Sequence, residues 1–344
     1  WGGVPEGSKR MTQCYITLDT LSERNRNPLM KDSAAIKLYE NNKVNARLNI
    51  TRQELFAQGV KFTQGMSISG VQQKLSLKLD PTTNTLIPTD KDGEYILKPT
   101  PDGLPYGAEM EHLSMEISRA LKIETALCGL VEFSDGERAY ITKRFDRTKN
   151  GKLHQEDLCS LSDKLKGDKY NSTYETAGRI LAEATGGKVA VLDDYFKRVL
   201  LAYLIGNDDL HLKNISVMRL PDNKDRVYDK LTPHYDNLCT EFYETGMMNH
   251  LAMPLLEADD DSSQGFSEAY QYFGFYTRAD FMKLAENIGL PTKAADNSIK
   301  AIAKAMDTIK ALIENSYITP ENKPKYAELV DQRYQAICAE QTTA

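Results

Sequence analysis

The segment Asp209-Leu-His-Leu-Lys-Asn214 holds the residue types that most invite chemistry. A carboxylate and an asparagine stand five positions apart in a polar stretch that follows an apolar one. Asp236 comes twenty-two residues after Asn214, in Pro-His-Tyr-Asp. Phosphoryl transfer needs such a set. One aspartate orients the acceptor hydroxyl and takes its proton, while an asparagine and a second aspartate hold Mg²⁺ on the phosphates. His211 and Lys213 lie between Asp209 and Asn214. Taken alone, D-x-H-x-K-N is equally compatible with a polar turn. Asp236 downstream and a lysine upstream turn the reading toward chemistry.

That lysine is Lys98, at the end of Tyr95-Ile-Leu-Lys. Protein kinases use the same Asp-to-Asn spacing, with a strand lysine that binds the α- and β-phosphates and pairs with a helix glutamate. Glu109 and Glu111 open the next helical stretch, and either could be the partner. The D-F-G signature is missing, because Asn237 and Leu238 follow Asp236. Upstream, Gly65-Met-Ser67-Ile68-Ser69-Gly70 sets small residues between glycines, which lets backbone N–H groups approach phosphate. A phosphate on Ser67 or Ser69 would add about −2 charge there and repel the ATP phosphates. Lys143, Arg144 and Phe145 end a strand before Gly151. Such a strand offers backbone groups to an adenine edge, with Phe145 to pack on it; a solvated edge strand fits as well. His154 to Asp157 forms a polar cluster that could contact ribose, brace the loop at Asp209 or cap a helix. G-x-S-x-G, HExxH, the Rossmann glycine fingerprint and the P-loop are all absent from the sequence.

The elements that must position these residues follow from periodicity. Leu75 to Leu79 alternates like a half-buried strand, and Gly93 to Pro99 is a second strand stopped by proline. Glu109 to Leu121 reads as a helix. Leu130 to Ser134 and Ala139 to Asp146 read as a hairpin around Asp135-Gly136. Ser172 to Glu175 has capping-box spacing before a helix that Gly186-Gly187 ends. Asp193 to Leu204 reads as a buried helix, with Ile215 to Met218 and Pro233 to Asp236 as short strands after it. Two helices close the chain, one through Ile299 to Ile313 and one over Lys325 to Ile337. Ser162 to Asn171 and Glu257 to Gln264 read as mobile loops.

The 344 residues, 41% hydrophobic and 27% charged, suit about two lobes with a sizeable core. A net charge of −6 excludes a whole-surface basic field for nucleic acid. Five scattered cysteines without a CxxC argue for a reducing compartment and against a zinc finger. No run reaches the ~20 apolar residues of a membrane span, and no secretory leader is visible, so the expectation is a cytoplasmic protein. Trp1 to Arg10 precedes Met11 and reads as a cloning remnant. The expected division is 11–147 as an ATP-binding lobe and 148–344 as a helical catalytic lobe.

With these pieces in order, the sequence resembles the HipA-type toxin kinases, most of all the short HipT kinases of three-part HipB–HipS–HipT toxin–antitoxin systems. The resemblance rests on GMSISGVQQKLSLKL, YILKPTP, AEMEH, ITKRFDR, HQEDLC, LIGNDDLHLKN and HYDNL. It implies an α+β, two-lobed protein-kinase-like fold with a small β-rich lobe and a mainly helical one. It implies ATP and Mg²⁺ as cofactors, Asp209 as catalytic base, and Asn214 and Asp236 as metal ligands. Lys98 would hold ATP phosphates with Glu111 as its partner, and Lys143 to Phe145 would form the adenine hinge. Ser67, Ile68, Ser69, Gly70, His211 and Lys213 would line the nucleotide site, and Ser67 and Ser69 match the family's autophosphorylated serines. One departure is Leu210, where HipA itself has glycine.

The implied activity is that of a serine/threonine protein kinase. Its implied substrate is an aminoacyl-tRNA synthetase of tryptophanyl or glutamyl type. Its implied partners are a HipB-like antitoxin and a HipS-like protein, with DNA reached only through HipB. Two other readings stay open on sequence: a nucleotide-binding scaffold that has lost transfer, and a small-molecule or lipid kinase of similar fold.

Overall fold

The computed structural model describes residues 12–60, 74–243, 250–261 and 265–339. The glycine-serine loop with Ser67, Ile68, Ser69 and Gly70 lies outside the described residues, as do Trp1 to Arg10. Two units separate by their internal contacts. One takes the chain up to Thr100 together with Leu127–Lys143; the other takes Pro101–Ala126 and the chain from Arg144 on.

The first unit is built on an antiparallel sheet. Its strands are β1 (Leu75–Asp80), β2 (Thr85–Pro88), β3 (Tyr95–Pro99), β4 (Cys128–Glu132) and β5 (Arg138–Lys143), in the order β2-β1-β3-β5-β4. Helices α1 (Asp32–Tyr39) and α2 (Arg52–Val60) precede them. The alternation of β1 buries Leu75 and Leu77 and leaves Lys78 exposed. Register sets Leu75 against Leu97, and Leu97 against Ile141, so three strands share one apolar layer. β2 escapes the sequence pattern because it is a short edge strand on which only Leu86 is buried. Its hairpin is closed by Asp80, whose carboxylate accepts from Thr82 N at 2.8 Å and Thr83 Oγ1 at 2.9 Å. The outer edge of β4 is covered. Leu130 N donates to Tyr15 O at 2.7 Å, and Glu132 N donates to Ala46 O at 2.8 Å. That removes an open row of strand groups. Gly129 permits the approach, since a Cβ there would stand 3.0 Å from Tyr15 O.

The second unit is mainly helical. It contains α3 (Gly107–Ala120), the small hairpin β6 (Arg147–Thr148) and β7 (Gly151–Lys152), β8 (His154–Asp157), α4 (Leu158–Leu161), α5 (Tyr174–Thr185) and α6 (Val189–Ile205). Then follow β9 (Ser216–Arg219), β10 (Lys230–Leu231), α7 (Glu257–Asp260), α8 (Glu268–Phe273), α9 (Arg278–Asn287), α10 (Thr292–Asn315) and α11 (Asn322–Cys338). α6 is apolar nearly all round and is the core helix. Val199, Leu200, Leu201, Leu204 and Ile205 are all buried, each worth about 1.5–3 kcal/mol of transfer from water. α10 buries a single stripe: Ala295, Ile299, Ile302, Met306, Ile309 and Ile313. Gly178 lets α5 run close to the end of α9, because a Cβ there would lie 2.5 Å from Ile288 Cγ2. Among the described residues no helix is long and apolar enough to cross a membrane.

Three expectations shift. The cap of α5 is Thr173, whose hydroxyl accepts from Thr176 N, one residue later than the capping-box spacing suggests. Pro233 to Asp236 is not a strand. The paired strand is β10, earlier in the chain, and His234 makes a single parallel bridge to Thr125 instead. Asp236 then turns into the left-handed region at φ 49°, which ends any strand. Within Glu257 to Gln264, Glu257–Asp260 forms a helical turn, and Glu257 pairs with Arg179 at 2.9 Å; 262–264 lie outside the described residues.

Candidate functional site

α6 ends at Gly206, whose φ of 69° turns the chain out of the helix into the polar loop. The loop alternates. Leu210 and Leu212 are fully buried and pin it to the core, while the side chain of Asp209 is 39% exposed. Tyr174 OH donates to Leu210 O at 2.8 Å. Asn214 sits in a turn of 3₁₀ helix, and its Nδ2 donates to Asp209 O at 2.9 Å. Asp209 and Asn214 are thereby fixed to one another across the five-residue spacing.

A chain of amides ties this loop to Asp236. Asp209 N donates to Asn207 Oδ1 at 2.9 Å, and Asn207 Nδ2 donates to Asn237 Oδ1 at 2.9 Å. Asn237 Nδ2 then donates to Ser114 O of α3 at 3.2 Å. Asn207 and Asn237 are both fully buried, so these bonds have no competing water. One turn along α3, Ser118 Oγ meets His234 Nδ1 at 3.0 Å. The segment His234 to Asn237 is therefore held to two successive turns of the helix that carries Glu111, which is itself buried.

His211 joins the two carboxylates electrically. Its Nε2 lies 3.6 Å from Asp209 Oδ1, and Asp236 also acts on it. Burial nevertheless outweighs both carboxylates and holds its pKa below the ordinary imidazole value. Burial likewise keeps His234 neutral, well below the ordinary value, with Arg198 pushing the same way.

Lys213 Nζ pairs with Asp157 Oδ2 at 3.0 Å, while Asp157 Oδ1 accepts from Ser160 N and caps α4. The His154 to Asp157 cluster thus both caps a helix and braces the loop, with β8 paired to β9. Tyr235 OH donates to Lys213 O at 3.0 Å, and the Tyr235 ring lies 5.8 Å from that of Phe145. Arg144 forms a two-pronged bond to Asp146 at 3.1 and 3.0 Å. In the β-rich unit, Lys98 is buried at the end of β3, 5.3 Å from the Tyr140 ring centroid, and Lys143 pairs with Glu40 at 2.6 Å. Ser67, Ile68, Ser69 and Gly70 are outside the described residues.

Sequence reasoning missed three residues of this site. Asn207 and Asn237 flank the aspartates in GNDD and YDN, and that adjacency was their only signal. Tyr170 lies in the stretch expected to be a mobile loop, yet its phenol donates to Asp209 Oδ1.

Among the described residues no group of three or more His, Cys, Asp and Glu converges as a metal cage. Asn214 spends its amide nitrogen on Asp209 O, which leaves its side-chain carbonyl as a donor. Both that carbonyl and the Asp236 carboxylate are hard oxygen groups, the chemical type that suits Mg²⁺.

The model of the HipA-like C-terminal domain matches residues 66–309. A protein of Haemophilus influenzae named "Putative kinase" is 34% identical over 297 residues, covering 81% of this chain and 84% of that protein. Among solved structures, HipA from the HipA–HipB–operator DNA complex of Shewanella oneidensis aligns with a TM-score of 0.62 at 20% identity, over 79% of this chain and 65% of that one. The proinflammatory kinase CtkA of Helicobacter pylori aligns with a TM-score of 0.51 at 15% identity, over 76% and 93%. These neighbours show a kinase-like α+β fold, and the family match over most of the length makes this chain a member of the HipA-like family.

Proposed function

We propose that the chain is an ATP- and Mg²⁺-dependent serine/threonine protein kinase. The observation that carries this reading is the amide chain from Asp209 through Asn207 and Asn237, which fixes the loop of Asp209 and Asn214 to the segment of Asp236. Phosphoryl transfer is mostly positioning and charge neutralisation, and a rigid frame around two carboxylates and an amide suits it. In this reading Asp209 accepts the proton of the acceptor hydroxyl. Asn214 and Asp236 would hold the metal through oxygen, and its charge would offset that of the phosphates. Lys98 is the phosphate-holding cation and Glu111 its carboxylate partner. Lys143 to Phe145 receive the adenine, and no covalent enzyme intermediate forms.

The Shewanella HipA was solved with HipB and operator DNA, which supports a HipB-like antitoxin for this chain too. With a net charge of −6, contact with DNA is left to that partner. A HipS-like protein, an aminoacyl-tRNA synthetase acceptor, a cytoplasmic setting and autophosphorylation at Ser67 or Ser69 complete the proposal.

The test is intact mass with phosphosite mapping after incubation with Mg²⁺ and ATP, with and without tryptophanyl- and glutamyl-tRNA synthetases. Wild type is expected to transfer phosphate and Asp209→Asn to transfer none. Undiminished transfer by Asp209→Asn removes Asp209 as base. Transfer to neither synthetase removes the acceptor assignment.

A further inference from the structure

The residues 162–171 carry a short 3₁₀ turn, Lys166–Asp168, and lie against the loop of Asp209. Leu212 N donates to Lys169 O at 3.2 Å, which joins the two loops backbone to backbone. The Tyr170 ring stands edge-on to His211, 5.0 Å between centroids at 82°. Its hydroxyl donates to Asp209 Oδ1. Nε2 of His211, at 3.6 Å from the same oxygen, is too far for a hydrogen bond of its own. Among the described residues the direct donor on Oδ1 is therefore the phenol.

Burial, and then the Asp209 carboxylate it bonds, raise the Tyr170 pKa well above the ordinary phenol value. The hydroxyl stays protonated and remains a donor across the working pH range. A carboxylate on one short side chain can rotate its plane through solvent. A donor fixed on one oxygen holds that plane and leaves the other oxygen to meet an incoming hydroxyl. The Asp209 side chain is 39% exposed with Tyr170 in place, so the contact does not bury it.

We infer that Tyr170 is a positioning residue for the base: its hydroxyl clamps Asp209 Oδ1, and its ring, set on His211, locates that hydroxyl. This rests on the reading of Asp209 as the base. Positioning of this kind matters because a misplaced base costs rate and not affinity for nucleotide.

The experiment compares wild type, Tyr170→Phe, Tyr170→Leu and Asp209→Asn for phosphate incorporation into the protein from Mg²⁺-ATP, with ADP affinity and thermal midpoint measured alongside. Tyr170→Phe keeps the ring on His211 and loses only the hydroxyl. The expected result is a fall of about tenfold or more in the rate constant of incorporation at saturating ATP for Phe and Leu alike. KM for ATP and ADP affinity should stay within about twofold, with the Phe midpoint unchanged. Phe at wild-type rate with only Leu impaired would mean that the ring packs and the hydroxyl does nothing, which overturns the inference. A Phe variant faster than wild type would also overturn it, because the phenol would then be an obstacle to the acceptor. Transfer retained by Asp209→Asn would instead bring down the base assignment itself, a failure separable from that of Tyr170.

Discussion

Two polar loops meet at Asp209, and they are held in place by different means. The loop from Gly206 to Asn214 is fixed from beneath. Leu210 and Leu212 are fully buried, Asn207 is bonded on both faces of its amide, and Tyr174 holds the carbonyl between the two leucines. The loop 162–171 is fixed from the side. Leu165 is 77% exposed; the segment is held to its neighbours by the Lys169 carbonyl, the Tyr170 hydroxyl and a bond from Lys164 N to Cys159 O at 3.0 Å, and is braced within itself by an exposed bond from Lys164 Nζ to Asn171 O at 2.7 Å. The first loop takes its conformation from burial and keeps it. The second has few buried contacts, the property that permits a segment to open locally at low cost. In the proposed reading of Asp209 as base, the rigid loop presents it and the softer one clamps it without sealing it.

The sharpest way to break this comparison is to truncate one leucine in each loop. Leu210→Ala should lose about 2–5 kcal/mol of stability, since it leaves a cavity under the loop that the surrounding core fills only partly. Leu165→Ala should stay within about 0.5 kcal/mol. Urea or guanidinium unfolding of both variants checks this. Equal losses would mean that the 162–171 loop carries core packing after all.

Next in size is the amide chain. Asn237→Ala removes a donor to α3 and an acceptor for Asn207 in a dry setting, so about 1–3 kcal/mol should be lost. Phosphate transfer should fall further than the stability loss alone explains, because the segments of Asp209 and Asp236 lose their common tie. Lys164→Ala, which cuts the exposed link in the softer loop, should leave stability within about 0.5 kcal/mol. Asn237→Ala with wild-type transfer would show that the two aspartates hold their positions by other means.

Much of this was legible in the sequence, and the reasons are local. β1 declared itself by alternation, α10 by its stripe, and α6 by an apolar run closed at Gly206. The D-x-H-x-K-N spacing and the later Asp236 were readable because order and spacing survive in one dimension. What stayed hidden depends on partners far apart in the chain. Tyr170 and Asp209 are 39 residues apart, Asn207 and Asn237 are 30 apart, and Ser114 and Asn237 are 123 apart. A tyrosine in Lys-Tyr-Asn-Ser has no period and no cap signal, so it read as loop. Pro-His-Tyr-Asp read as a strand for the opposite reason. It is locally strand-like, but its pairing is one bridge at His234, and the left-handed turn at Asp236 is set by the fold around it.

The smallest effect separates the two loops by pH. The rigid side contains His234, buried to 1% exposure and held neutral in the folded state, with its pKa well below the ordinary value chiefly through burial, and then through Arg198. In the unfolded chain the same imidazole takes up a proton near pH 6.5. Below that pH the unfolded state binds a proton that the folded state refuses, so unfolding becomes easier as the solution is acidified. The stability His234 contributes by staying neutral is complete above about pH 6.5 and is lost as pH falls toward the folded value. The slope from one such group is at most about 1.4 kcal/mol per pH unit. His211 and His250, also lowered by burial, add in the same direction. Urea midpoints between pH 7.5 and 5.5 should fall for wild type. They should fall less steeply for His234→Gln, which can still bond Ser118 but takes up no proton. An unchanged slope in that variant would move the pH dependence off the segment that carries Asp236.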